Sequence, residues 1–224
     1  PDVPALVGYA AERLSRQPRS TRAAVQYARL AMNYLAHLHL GGEQPAQLLG
    51  SLYGDFVKGW LKGEWPADIE AAIRLHRQID VFTDAHELVA QARARFPLAR
   101  RRYSGILLDL FFDHCLARHW HDYAEQPLLQ FNARVYQVLL AEPQLPGHLA
   151  RIAPRMAEQD WLSSYSEFAT LELVLLGMQR RLSRPEGLAG AMGELERLYE
   201  PLLGDFRAFY PQLQAFAVER RRLI

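Results

Sequence analysis

Apolar residues in this chain recur at three- and four-residue spacing almost everywhere and alternate almost nowhere. A segment with that spacing buries one stripe, and it does so by packing against other helices, so the pattern restricts the chain to an all-α architecture. Pro66 sits where the first turn of a helix tolerates proline, with Asp68 and Glu70 where the macrodipole favours acids. Ile69, Ala72, Ile73, Leu75 and Ile79 then mark its buried stripe. Asp84 followed by Glu87 has the form of a capping box that starts a second helix, which Pro97 ends. A third, strongly apolar helix is expected from Tyr103 to Trp120. Further helices are expected after Pro127, between Gly147 and Trp161, from Leu171 to Leu182 and from Ala189 onward, with Pro143, Pro146, Pro185 and Pro211 as punctuation. Tyr34 to Leu40 is the single brief strand candidate. No repeat or linker divides the chain, and a single compact helical domain follows.

Half of the 224 residues are hydrophobic, enough for a sizeable core. Twenty-six basic and 25 acidic residues nearly cancel, which disfavours a nucleic-acid partner. One cysteine, Cys115, excludes an internal disulfide and a thiolate zinc cluster. No apolar run approaches the roughly 20 residues of a membrane span. The N-terminal stretch, dotted with Arg and Ala, does not read as a signal peptide, so a cytoplasmic protein without a membrane partner is the expectation. Residues 1–31 read as a helical extension of two short amphipathic pieces around Ser15 to Thr21. Their basic face carries Arg13, Arg16, Arg19, Arg22 and Arg29 against only Asp2 and Glu12. An appended segment and a functional arm both fit it, and Met32 opens a new apolar run.

Two of the expected helices carry chemistry. His76 and Asp80 lie four residues apart and share a face, as do Asp109 and Asp113, with His114 adjacent. The second pair sits in the run Ile106-Leu107-Leu108-Asp109-Leu110-Phe111-Phe112-Asp113-His114, and carboxylates in so apolar a setting need a compensating charge. A divalent cation held by His76, Asp80, Asp113 and His114 supplies it. Mixed imidazole and carboxylate ligation suits manganese, iron or zinc better than calcium. Ion pairs with Arg74, Arg77 or Arg118 are the alternative. Asp55, in Tyr53-Gly54-Asp55-Phe56-Val57-Lys58-Gly59, is a ligand-facing acid or a helix-terminal one. His37 and His39, two residues apart, cannot face the same partner and read first as core histidines. Asp84 reads as an N-cap, Cys115 as core, and His86, His119, His121 and His148 as surface or packing residues. Arg93 and Arg95 fit a solvated helix face, whereas the run Arg100, Arg101 and Arg102 suggests recognition of phosphate or of an acidic surface. Glycine-rich nucleotide loops and a serine nucleophile elbow are missing from the sequence.

The strings MNYLAHLHL, GDFVKG, IRLHRQIDVFTDAH and LLDLFFDHCLARHW closely resemble the acyl carrier protein phosphodiesterase family. The resemblance runs from Met32 towards the C-terminus, tightest up to Trp120, and divides the chain into residues 1–31 and a phosphodiesterase domain over 32–224. It implies an HD-domain-like helical fold and a divalent cation, manganese before magnesium or iron. The implied reaction is hydrolysis of the phosphodiester that joins 4′-phosphopantetheine to a serine of holo acyl carrier protein. It implies His76, Asp80, Asp109, Asp113 and His114 at the metal, Asp55 as metal ligand or water-orienting residue, and His39, with His37 behind it, in proton transfer. The carrier protein, an acidic helical bundle, would meet Arg100, Arg101 and Arg102. An HD-type phosphohydrolase of small nucleotides and a non-catalytic carrier-protein binding module are the rival readings.

Overall fold

A computed structural model describes residues 34–179 and 185–224; the expected pair of N-terminal helices lies outside them. Among the described residues there are eleven α-helices, three short 3-10 turns and no strand. The helices are α1 (Tyr34–Gly41), α2 (Pro45–Phe56), α3 (Ala67–Ala85), α4 (Glu87–Ala94), α5 (Ser104–Arg118), α6 (Leu128–Ala141), α7 (Gly147–Glu158), α8 (Trp161–Ser164), α9 (Thr170–Gln179), α10 (Ala191–Arg197) and α11 (Tyr199–Arg221). No helix among the described residues is long and apolar enough to cross a membrane.

The strand candidate Tyr34 to Leu40 is helical. Its alternation of Leu with His at positions 37 to 40 suggested one wet face, but His37 is as buried as its leucine neighbours, so the pattern separates two kinds of interior contact. The expected capping box at Asp84 does not form. Helix α3 runs through Asp84 to Ala85, and His86 caps α4 by accepting a hydrogen bond from the Leu88 backbone N–H at 3.2 Å. Pro66 stands at the cap of α3, one position outside the first turn. The helix expected from Tyr103 to Trp120 holds as α5, flanked by 3-10 turns over Leu98–Tyr103 and Trp120–Asp122. Pro211 does not interrupt the chain; it lies inside α11.

Helices α2 and α3 form the closest pair. Gly50 makes this possible, because a Cβ there would overlap Ala72 and the backbone of Ile69. Helix α1 is enclosed by α2, α3, α5 and α11 and exposes almost nothing. The long α11 lays Phe206, Phe209, Tyr210 and Leu213 into the core. Arg95 is exposed, as expected, but it is also paired: its Nε and Nη2 donate to Asp205 Oδ2 and Oδ1 at 2.6 and 2.9 Å, a two-pronged bond that ties α4 to α11. Cys115 is fully buried, as expected of a core thiol.

Candidate active site

Three helices converge on one carboxylate. His76 and Asp80 lie one turn apart on α3, and His37 arrives from the buried α1. His37 Nε2 stands 3.0 Å from Asp80 Oδ1, and His76 Nε2 stands 3.4 Å from Asp80 Oδ2. Asp55, in the last turn of α2, brings Oδ1 to 3.9 Å from the same His76 nitrogen. The donor atoms of His37, His76 and Asp80 all lie within 4.8 Å of one another. The two imidazoles stack with ring centroids 3.7 Å apart.

Backbone groups set the ring that matters most. His76 Nδ1 lies 2.8 Å from the Ser51 carbonyl oxygen, which can only accept, so Nδ1 carries a proton and Nε2 is the atom turned to the carboxylates. Gly54 sits against the face of that ring, and a Cβ there would overlap His76 Cγ. The second glycine of GDFVKG is a different case: Gly59 has φ 79° and turns the chain out of the site. Gly54→Ala is therefore expected to displace the imidazole, which cannot retreat while it is held by Ser51 and stacked on His37. Overpacking of this kind costs about 1–3 kcal/mol. Catalytic efficiency should fall by about a hundredfold or more, since positioning is lost with it. Thermal melting and steady-state kinetics on the same variant check both.

The electrostatics are those of a site short of positive charge. Burial would raise the Asp80 carboxyl, yet the two imidazoles standing against its oxygens hold it well below the usual carboxylate range. Burial would likewise lower His76, but Asp80, Asp55 and the Ser51 carbonyl together raise it above the ordinary histidine value. His37, desolvated and next to His76, is pushed down to about 4 and stays neutral. Burial pushes Asp55 up to about 6, with Asp80 adding to it against His76 and Lys58. Both His37 ring nitrogens and Asp55 Oδ2 are buried without a hydrogen-bond partner. Orphaned lone pairs and carboxylates around one point are what a divalent cation satisfies. The donor set, two imidazoles with one or two carboxylates, fits a borderline transition metal.

The other residues singled out by sequence fall elsewhere. Asp113 and His114 do not join His76 and Asp80. Both Asp113 oxygens accept hydrogen bonds from the start of α1, Oδ1 from Ala36 N at 2.9 Å and Oδ2 from Leu35 N at 3.0 Å. The compensation for that buried acid is thus a helix N-terminus. Burial nevertheless pushes its carboxyl up to about 8, against those two N–H donors. His114 donates from Nδ1 to the Tyr165 carbonyl at 2.8 Å and meets the Tyr199 hydroxyl at Nε2 at 2.9 Å, so neither nitrogen is left for a metal. His39 points away from the cluster: its Nδ1 lies 2.7 Å from Tyr210 Oη, and its ring lines a separate cavity of about 350 Å³ with Trp120, Tyr123 and Phe131. This placement removes geometric support for His39 as the proton donor. Asp109 is outside the ligating group but within its field. Burial, with Asp80, Asp84 and Asp55 nearby, pushes it up to about 7 against the opposing charge of Arg93.

Two of the three arginine alternatives, Arg74 and Arg77, have other partners. Arg74 reaches Glu70, and Arg77 donates to the carbonyls of Gly59 and Val57 at 2.8 Å each. Arg93, expected on a solvated face, pairs with Asp84, and its Nε is buried without a partner. Arg100 is consumed internally by Glu194 and by the carbonyls of Gly187 and Ala189, while Arg101 and Arg102 are exposed. Sequence reasoning missed Ser51, which acts through a backbone carbonyl, and the room that Gly54 leaves for the His76 ring. It also undervalued His37. The one usable signal for His37 was its place in a run too apolar to leave it in solvent.

A family model described as acyl carrier protein phosphodiesterase matches residues 32–213. The acyl carrier protein phosphodiesterase of Yersinia pestis is 38% identical over 192 residues, which are 85% of this chain and all of that relative. That of Serratia proteamaculans is 38% identical over 197 residues, with the same coverage, and that of Escherichia coli O139:H28 is 36% identical over 188 residues, 83% of this chain and 97% of the relative. No solved structure matches the chain, and of the expected HD-domain-like fold only the all-helical character is borne out.

Proposed function

The chain belongs to the acyl carrier protein phosphodiesterase family, and we propose that it hydrolyses the 4′-phosphopantetheine–serine phosphodiester of holo acyl carrier protein at the His37–His76–Asp80 cluster, with a divalent cation, manganese first, as cofactor. One observation carries this reading: with Nδ1 committed to the Ser51 carbonyl, His76 turns Nε2 to the Asp80 and Asp55 carboxylates, while both His37 ring nitrogens and Asp55 Oδ2 beside it lack a hydrogen-bond partner.

His37, His76 and Asp80 would hold the cation, with Asp55 beside them. A bound divalent cation supplies Lewis-acid neutralisation of the phosphoryl oxygens and lowers the pKa of a bound water. Asp55, raised to about 6 and with Oδ2 unpartnered, accepts the proton of the attacking water once ionised near neutral pH. Water oxygen bonds to phosphorus, the phosphorus–serine oxygen bond breaks, and the serine oxygen takes a proton. Asp109, whose carboxyl burial raises to about 7 and which feels both Asp80 and Asp55, is the group assigned to supply that proton. Arg101 and Arg102 remain the part of the basic run free to face an acidic carrier.

Loading the site has a measurable pH signature. His76 and Asp55 both have raised values, so the cation-free protein binds protons near pH 6 that a cation displaces. Manganese affinity should rise between pH 5.5 and 8, and calorimetry in buffers of different ionisation enthalpy should show proton release at pH 6 that shrinks towards pH 8. The functional test is incubation with holo carrier protein and manganese, followed by the mass of the carrier. Loss of the phosphopantetheine mass supports the reading. An unchanged carrier with hydrolysed free nucleotides would favour the small-nucleotide reading, and tight binding without turnover or metal dependence would favour the binding module.

A further inference from the structure

We propose that the loop between α2 and α3 is a docking element for the acidic carrier protein, built around Trp60 with Lys58 and Lys62 on either side; this rests on the functional reading above. Trp60 is 90% exposed, a large apolar surface left in water on a segment that is otherwise anchored. Val57, Leu61 and Trp65 pack against the core, and Trp65 meets Tyr53 edge-on at 4.9 Å between ring centroids. Lys58, Trp60 and Lys62 are exposed in the intervals. The loop base is fixed to the site itself. Arg77, next to His76, holds the Val57 and Gly59 carbonyls, and Glu70 Oε1 accepts from Gly63 N at 2.8 Å. Gly59 and Gly63, with φ 79° and 77°, bracket the exposed tip.

Charge and position select the occupant. The loop, residues 57–66, carries Lys58 and Lys62 around its tip and one acid, Glu64, at its far end, while the floor it leads from is acidic, with Asp55, Asp80 and Asp109. Lys58 acts on the Asp55 carboxyl, so the basic tip stands at the rim of the reacting centre. An acidic protein surface bearing an apolar residue fits Lys58, Trp60 and Lys62. A tryptophan on a held loop loses little entropy on contact, which is what an interface anchor needs.

The test uses the full chain and the double variant Trp60→Ala with Lys62→Glu. The Michaelis constant for holo carrier protein should rise by about tenfold or more with turnover number nearly unchanged, and binding of apo carrier protein by calorimetry should weaken by a similar factor. Hydrolysis of a small chromogenic phosphodiester should not change. A variant with unchanged Michaelis constant and apo-carrier affinity overturns the docking proposal while leaving the functional reading intact. Equal loss on both substrates also overturns it, since the loop would then belong to the reacting centre. Self-association of the wild type that disappears with Trp60→Ala, in place of carrier binding, would assign the tip to a second copy of this chain. A wild type that neither hydrolyses holo carrier nor binds apo carrier removes the functional reading and this proposal with it.

Discussion

Asp80→Asn is expected to lower turnover by about a thousandfold or more, equivalent to roughly 4 kcal/mol of barrier, and to abolish stoichiometric metal binding. The reason is that both oxygens are committed. Oδ1 faces His37 and Oδ2 faces His76, and an amide keeps only one acceptor while turning a donor towards an imidazole. The fold should survive, because Asp80 is about half exposed at the surface of α3 and no backbone group depends on it. Metal content after dialysis, circular dichroism and kinetics on one preparation separate these effects. A folded Asp80→Asn protein with full metal content and full activity would place the chemistry elsewhere.

Asp113→Ala has the second large effect, and its character is the opposite. Removing the carboxylate strands the Leu35 and Ala36 N–H groups at the buried start of α1 and leaves a void in the core. Each orphaned donor costs about 1–3 kcal/mol, so a total near 3–5 kcal/mol is expected, enough to unfold a marginal domain. Asp113→Asn should fall between, because one of its two terminal atoms is a donor facing a donor. In urea melts both variants should lose stability, while whatever fraction remains folded at low denaturant should still bind manganese. Metal loss without loss of stability would return Asp113 to the ligand set.

That contrast shows what the sequence could and could not reveal. The helices were legible because their apolar stripes and caps are local, and so was the His76–Asp80 pair, because one helical turn fixes its geometry. The need of Asp113 for a partner was legible too, but not the partner, since a helix N-terminus 77 residues away in sequence leaves no mark of its own. His114 carried the same ambiguity: the pattern shows a buried imidazole, while the Tyr165 carbonyl and Tyr199 hydroxyl that satisfy it come from distant turns. His37 and His39, ranked with His39 first, fall on opposite sides of α1. Their roughly 200° separation on a helix sends one to Asp80 and the other to Tyr210, and sequence spacing does not say which side of α1 faces the site. Gly54 was noticed for backbone freedom, whereas its φ is unexceptional and its function is to leave room for the His76 ring.

The most direct measurement of the central claim is hydrolysis of holo carrier protein in ¹⁸O-labelled water with manganese present, read by mass spectrometry of both products. Attack at phosphorus from the His37–His76–Asp80 site predicts apo carrier protein with an unlabelled serine and 4′-phosphopantetheine carrying one ¹⁸O, with no turnover in chelator. Label on the serine, turnover without any divalent cation, or a carrier that emerges unchanged would contradict it.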